Sequence, residues 1–232
     1  MNRSAPRTDG PLGSRLTARA RDEVPAGVTT GTKLLADGAL LHVPPAGGRG
    51  ESCPLVVLFH GAGSSARAGL ALLAEQSDEA GAILLAPQSA GSTWDVIERG
   101  FGVDVRRLDR ALASVFATCP VDASRIVFGG FSDGASYALS LGIDNGDLAG
   151  HLVAFSPGFL APAAPHGRPR VFVSHGVHDR VLPIERCSRR LVPGLRDAGY
   201  DVTYEEFDGG HVVTPAIARR ALRWLDSGLS TL

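Results

Sequence analysis

A chain of 232 residues is long for a minimal domain and short for two, so one domain with a full core is predicted. The formal net charge of −1, with both signs dispersed, gives no electrostatic footprint for nucleic acid or an anionic membrane and favours a small neutral or amphipathic substrate. No stretch approaches the length of a membrane span, the N-terminus lacks an apolar signal core, and Cys53, Cys119 and Cys187 have neither pairing nor metal-ligand spacing; a soluble cytoplasmic protein with reduced thiols is predicted, its oligomeric state left open.

In chain order, residues 1–27 mix proline, glycine and charge with weak periodicity and predict a loosely ordered arm, with one edge strand near residues 15–18. Residues 28–232 form the domain. Residues 32–43 predict a hairpin turning at Asp37-Gly38, followed by a Gly-rich loop at 46–50. The unbroken apolar run from Pro54 to Phe59 predicts a strand covered on both faces. Strands and helices then alternate: helix 66–80, strand 82–86, helix 103–118, strand 125–129, a helix after Ser132, strands 151–155 and 170–174, helix 184–198, strand 202–207 and a closing helix 215–227. Repeated strand-helix units predict an α/β fold with a mostly parallel, doubly wound sheet, helices on both faces, and functional residues beyond the carboxyl ends of the strands.

Ser132 lies where strand turns sharply into helix, in Gly130-Phe131-Ser132-Asp133-Gly134, the pattern of a nucleophile elbow. Glycine two residues to either side fits a turn too tight for side chains. A serine nucleophile needs a base and a group to orient that base. His211 follows a strand in the loop Gly209-Gly210-His211, and Asp179 follows another in His175-Gly176-Val177-His178-Asp179. The order Ser132, Asp179, His211 is that of α/β-hydrolases. Asp208 and Asp95 are rival acids; His42, His60, His151 and His166 read as structural or surface residues; His175, His178 and Asp179 form the one weak alternative for a metal, with no third well-spaced donor elsewhere. Oxyanion donors are predicted at the backbone N–H groups of Asp133 and Ala62, with Gly63 as second choice. Gly61, Gly63 and Ala66 also fit a dinucleotide pattern, but the next strand ends Ala86-Pro87-Gln88 without an acid for a ribose.

Together with Pro87 through Trp94-Asp95 and Val181-Leu182-Pro183, these segments resemble the bacterial carboxylesterase and phospholipase branch of the acyl-protein thioesterase family, from about residue 38 to the C-terminus. The resemblance implies a small, lid-poor α/β-hydrolase with no cap domain and no metal or other cofactor, with Ser132 as nucleophile, His211 as base and Asp179 as its orienting acid. It implies cleavage of carboxylic esters, with thioesters or lysophospholipids as the alternative and a non-catalytic binding protein as the remaining one. Family members usually carry Gln-Gly after the serine, whereas this chain has Asp133-Gly134, an anion beside the oxyanion site unless it points away. Only about fifteen residues separate the strands at 151–155 and 170–174, too few for a cap, so an open groove is predicted, with Trp94, Phe159 and Leu182 as its apolar walls and short to medium acyl chains as its substrates.

Overall fold

The computed structural model describes residues 13–21 and 28–227. Among these, eight strands form one sheet: β1 (Gly31–Leu34), β2 (Leu40–Val43), β3 (Cys53–Phe59), β4 (Ile83–Ala86), β5 (Val121–Phe131), β6 (His151–Phe155), β7 (Arg170–Gly176) and β8 (Val202–Phe207). Their spatial order is β1-β2-β4-β3-β5-β6-β7-β8. The hairpin β1-β2 pairs antiparallel with β4, and the strands from β4 to β8 run parallel. The helices are α1 (Pro45–Gly48), α2 (Ala66–Ala71), α3 (Ala74–Ala80), α4 (Asp95–Glu98), α5 (Val103–Thr118), α6 (Asp133–Asp144), α7 (Ser188–Asp197) and α8 (Pro215–Ser227).

The apolar run in β3 is continuous because each face of the sheet has its own helical layer. Leu55, Val57 and Phe59 join the core formed with α5, α6 and α7. Val56 and Leu58 point the other way, into the core formed with Leu73 and α8. Register aligns the strand ends: Phe59 pairs with Gly130, Phe131 with Phe155, and Gly176 with Phe207. The loops that leave these positions therefore meet along one edge of the sheet, at the carboxyl ends.

Two predicted helices are interrupted. The segment 66–80 divides into α2 and α3 at Leu72-Leu73, where Leu73 adopts φ −134° and is buried. The segment 184–198 enters through one 3-10 turn, Ile184–Arg186, before α7. Short helices α1 and α4 stand where loops were predicted. Residues 156–169, the place for a cap, carry no helix; the amides of Ala163 and Ala164 are held by the Asp144 carboxylate at 2.8 Å each. All three cysteines are free and buried, and no helix among the described residues is long and apolar enough to cross a membrane.

Of the predicted arm, only residues 13–21 lie within the described residues. This stretch forms no ladder, because its backbone is received by side chains. Leu16 N–H donates to Asn145 Oδ1 and Asn145 Nδ2 donates to Ser14 O, both at 2.8 Å, while Thr17 and Ala18 N–H donate to Asp109 Oδ1. Ser14, Leu16 and Ala18 point inward and are buried; burying one such leucine is worth about 2 kcal/mol.

Candidate active site

Ser132 has φ 58° and ψ −122°, a backbone conformation that non-glycine residues rarely adopt. Its N–H donates to Phe155 O at 2.9 Å, and its C=O accepts the N–H groups of Ala135 and Ser136, which start α6. The elbow is pressed against β3. A Cβ on Gly134 would lie 2.1 Å from Phe59 O, and one on Gly130 would lie 2.7 Å from the same oxygen and 2.5 Å from Gly134 O. Glycine at these two positions is a steric requirement of the turn.

The Ser132 hydroxyl lies 2.9 Å from Nε2 of His211, and Nδ1 of His211 donates to Asp179 Oδ2 at 2.5 Å. Neighbouring main chain fixes both loops: Val177 N–H donates to Phe207 O and His178 N–H to Gly209 O, each at 2.9 Å. A Cβ on Gly176 would lie 2.3 Å from Gly210 O, so the acid loop and the histidine loop touch backbone to backbone. Burial raises the Asp179 carboxyl, but hydrogen bonds from His211 and from the Leu182 and Val181 amides outweigh it and hold the group below the usual carboxylate range. Asp179 is thus an anion aimed at the imidazole. The rival Asp208 is 93 % exposed and pairs at the surface with His178. The other rival, Asp95, accepts the N–H groups of Gly102 and Asp104.

Ala62 and Asp133 N–H make no hydrogen bond among the described residues. Gly63 N–H is taken by Ser92 O at 2.6 Å, which removes the second choice. The strand-to-loop corner at His60-Gly61 is clamped by its carbonyls: Trp94 Nε1 donates to His60 O, and His60 Nδ1 donates to Gly61 O, each at 2.8 Å. Burial holds the His60 imidazole below its ordinary value, consistent with a neutral ring that accepts Ser89 N–H through Nε2. The Asp133 carboxylate takes the Thr93 hydroxyl at 2.7 Å.

A cavity of about 400 Å³ opens at Ser132, its apolar lining drawn from Ala62, Ala68, Leu72, Phe131 and Val181, with Ser64 and His211 beside them. Of the three walls predicted from sequence, none belongs to this lining. Trp94 is 1 % exposed, stacked on Tyr137 at 4.8 Å behind the His60 corner, so it supports the loop after β3 from the rear. Leu182 is turned toward Gly158, because its N–H and C=O are occupied by Asp179 and His175; Val181, 65 % exposed, takes the cavity side instead. Phe159 is half-buried in the loop that Ser136 Oγ receives. Phe131 was legible as the residue beside the nucleophile; Leu72 was hidden by reading one helix through the break that exposes it. His175, His178 and Asp179 do not converge on a metal position, since His178 turns outward to Asp208; among the described residues no three His, Cys, Asp or Glu are so grouped.

A stretch of 103 residues is 32% identical to acyl-protein thioesterase 1 of Gibberella zeae; it spans 39% of this chain and 43%, less than half, of that protein. The fold is similar to that of esterase PE8 (24% identity, TM-score 0.64, covering 87% of this chain and 99% of that one). It is also similar to the phospholipase/carboxylesterase of Dyadobacter fermentans (21% identity, TM-score 0.64, covering 86% and 99%). Both likenesses are of fold, and the fold is that of the α/β-hydrolases. Residues 95–226, a span that includes Ser132, Asp179 and His211, match the family described as phospholipase/carboxylesterase, and the chain belongs to that family of hydrolases.

Proposed function

We propose that the protein is a serine carboxylesterase that cleaves esters of short to medium acyl chains through an acyl-enzyme. The observation that carries this reading is the unbroken hydrogen-bonded chain from Asp179 through His211 to Ser132, ending beside two unoccupied backbone donors. Ser132 Oγ attacks the ester carbonyl carbon while His211 Nε2 takes the hydroxyl proton. The carbonyl oxygen becomes an oxyanion held by the N–H groups of Ala62 and Asp133. The C–O bond to the alcohol breaks, His211 returns the proton to the departing oxygen, and the acyl group remains on Ser132. Water repeats the sequence: His211 takes its proton, its oxygen attacks the acyl carbon, and the acid leaves as Ser132 regains a hydrogen.

The apolar lining near Ser132 suits an uncharged acyl chain, and its size lies in the range of small-molecule sites. The buried, unpaired thiols suit a reducing, cytoplasmic setting. The fungal relative, named an acyl-protein thioesterase, favours thioester cleavage by the same groups as the second reading. A fluorophosphonate probe and a parallel series of p-nitrophenyl esters and acyl thioesters test both. Wild-type protein is expected to be labelled at Ser132, and Ser132→Ala to lose both labelling and at least ~100-fold of turnover. Retention of more than about a tenth of kcat by Ser132→Ala would refute the assignment.

A further inference from the structure

Asp179 is held by more donors than the orientation of one imidazole requires. Oδ1 accepts the N–H groups of Val181 and Leu182 at 2.9 and 2.8 Å. Oδ2 accepts His211 Nδ1 at 2.5 Å and also lies 3.3 Å from Nε2 of a second histidine, His175. His175 is fully buried at the end of β7, four residues before the acid.

The neighbours of His175 fix its tautomer. Nε2 lies 2.8 Å from Leu182 O, which only accepts, so this nitrogen carries the hydrogen. Nδ1 lies 2.7 Å from Ser188 Oγ and accepts its hydroxyl hydrogen. Burial holds the ring below its ordinary value, in keeping with a neutral imidazole. The one N–H thus meets Leu182 O, with the Asp179 carboxylate 3.3 Å from the same nitrogen. Leu182 is gripped at both ends, its N–H by Asp179 Oδ1 and its C=O by His175, so the loop and the carboxylate are fixed as a unit.

We propose that His175 is a positioning residue for acyl transfer: its Nε2–H holds the Asp179 carboxylate in the rotamer that presents Oδ2 to His211, and shares the charge of that oxygen. The proposal rests on the acyl-transfer reading above. The titratable groups around this cluster are His211 and Asp179 themselves, Cys187 before α7, whose thiol burial and then Asp179 push upward, and Glu206 on β8, whose carboxyl the hydrogen bond from Arg189 chiefly lowers. Ser188 and Leu182 add no charge.

The test compares wild type, His175→Leu, which removes the donor, and His175→Gln, which returns an N–H near the position of Nε2. Hydrolysis of p-nitrophenyl acetate is followed against pH, each rate normalised to sites titrated by a fluorophosphonate. His175→Leu is expected to lower kcat per titrated site by about 10- to 100-fold with KM changed less than about threefold, as for loss of orientation without loss of binding. The acid limb of kcat/KM should move to higher pH by about half a unit, because an Oδ2 relieved of one donor favours the protonated base. His175→Gln should recover most of both. Unchanged kcat per titrated site together with an unchanged acid limb would leave His175 a packing residue, whatever its effect on Tm, and would overturn the proposal. A second measurement needs no variant: ¹⁵N NMR of the histidine side chains in intact wild type should find His175 neutral with hydrogen on Nε2, and finding it on Nδ1 would also overturn the proposal. Failure of wild type to label, or full turnover by Ser132→Ala, would instead remove the acyl-transfer reading, and this proposal with it.

Discussion

Replacing Leu72 by alanine is expected to lengthen the acyl chain that the site prefers. Leu72 lines the cavity at Ser132, about 400 Å³, and also a neighbouring one of about 150 Å³ bounded by Glu75, Val213 and Ala218. It is the one residue common to both linings. On the proposed reading, an acyl chain laid along Ala68, Phe131 and Val181 should gain about 0.8 kcal/mol, or about fourfold in kcat/KM, for each buried methylene until it reaches Leu72. Removing three side-chain carbons makes room for about three more methylenes, which sum to about 2.4 kcal/mol and about 50-fold in kcat/KM for the longer ester. The break between α2 and α3 leaves Leu72 half-buried, so the stability loss should fall below the roughly 2–5 kcal/mol of a fully buried leucine. Initial rates on p-nitrophenyl esters from two to twelve carbons, each below its critical micelle concentration, measure the effect. An optimum that stays at the same chain length, with all rates lowered in proportion, would show that Leu72 does not limit the acyl site.

Asp179→Asn should lower kcat by about 10²- to 10⁴-fold with a smaller change in KM, whereas Asp208→Asn should leave steady-state kinetics unchanged, since Asp208 is a surface partner of His178; the reverse result would reassign the acid. Gly134→Ala should yield no folded protein by near-ultraviolet circular dichroism, because its Cβ would stand 2.1 Å from Phe59 O, while Gly63→Ala, with open space but φ +64°, should fold with a loss of about 1–2 kcal/mol. The Asp147 carboxyl, lowered to about 2 chiefly by its hydrogen bonds from Arg15, is below its unfolded value. Its contribution is therefore present above about pH 4 and lost as pH falls toward 2. The Tm of Asp147→Asn should lie about 2–4 °C below wild type at neutral pH and converge with it in acid; a constant offset down to pH 2 would contradict the linkage.

What the sequence disclosed, and what it withheld, divides along the range of the forces involved. Strand β8 and helix α8 were legible to the residue because local alternation and periodicity decide them. The elbow, the acid and the histidine were legible because each sits at the end of a strand, and register brings those ends together. The break at Leu72-Leu73 left no local mark: every residue from Gly69 to Glu75 except the glycine favours helix, and burial of Leu73 against the sheet overrides them. The cavity walls were misassigned for a similar reason. Whether Val181 or Leu182 faces Ser132 depends on hydrogen bonds to His175 and Asp179, which no side-chain preference announces. Likewise the docking of residues 13–21 depends on Asn145 and Asp109, roughly a hundred residues away in the chain.

The two halves of the proton-transfer pair stand on ground of unequal firmness. Ser132 is carried by β5, which has a neighbour on either side, whereas His211 hangs from β8, the margin of the sheet, which is paired with β7 alone. Marginal strands open at lower free energy than central ones. A molecule that released only its margin would retain the proposed nucleophile, its oxyanion donors and most of its core, yet have no base within reach. On the proposed mechanism, loss of activity under mild stress is expected to be the reversible displacement of one imidazole, with the temperature at which activity fades set by the edge of the sheet and not by its centre.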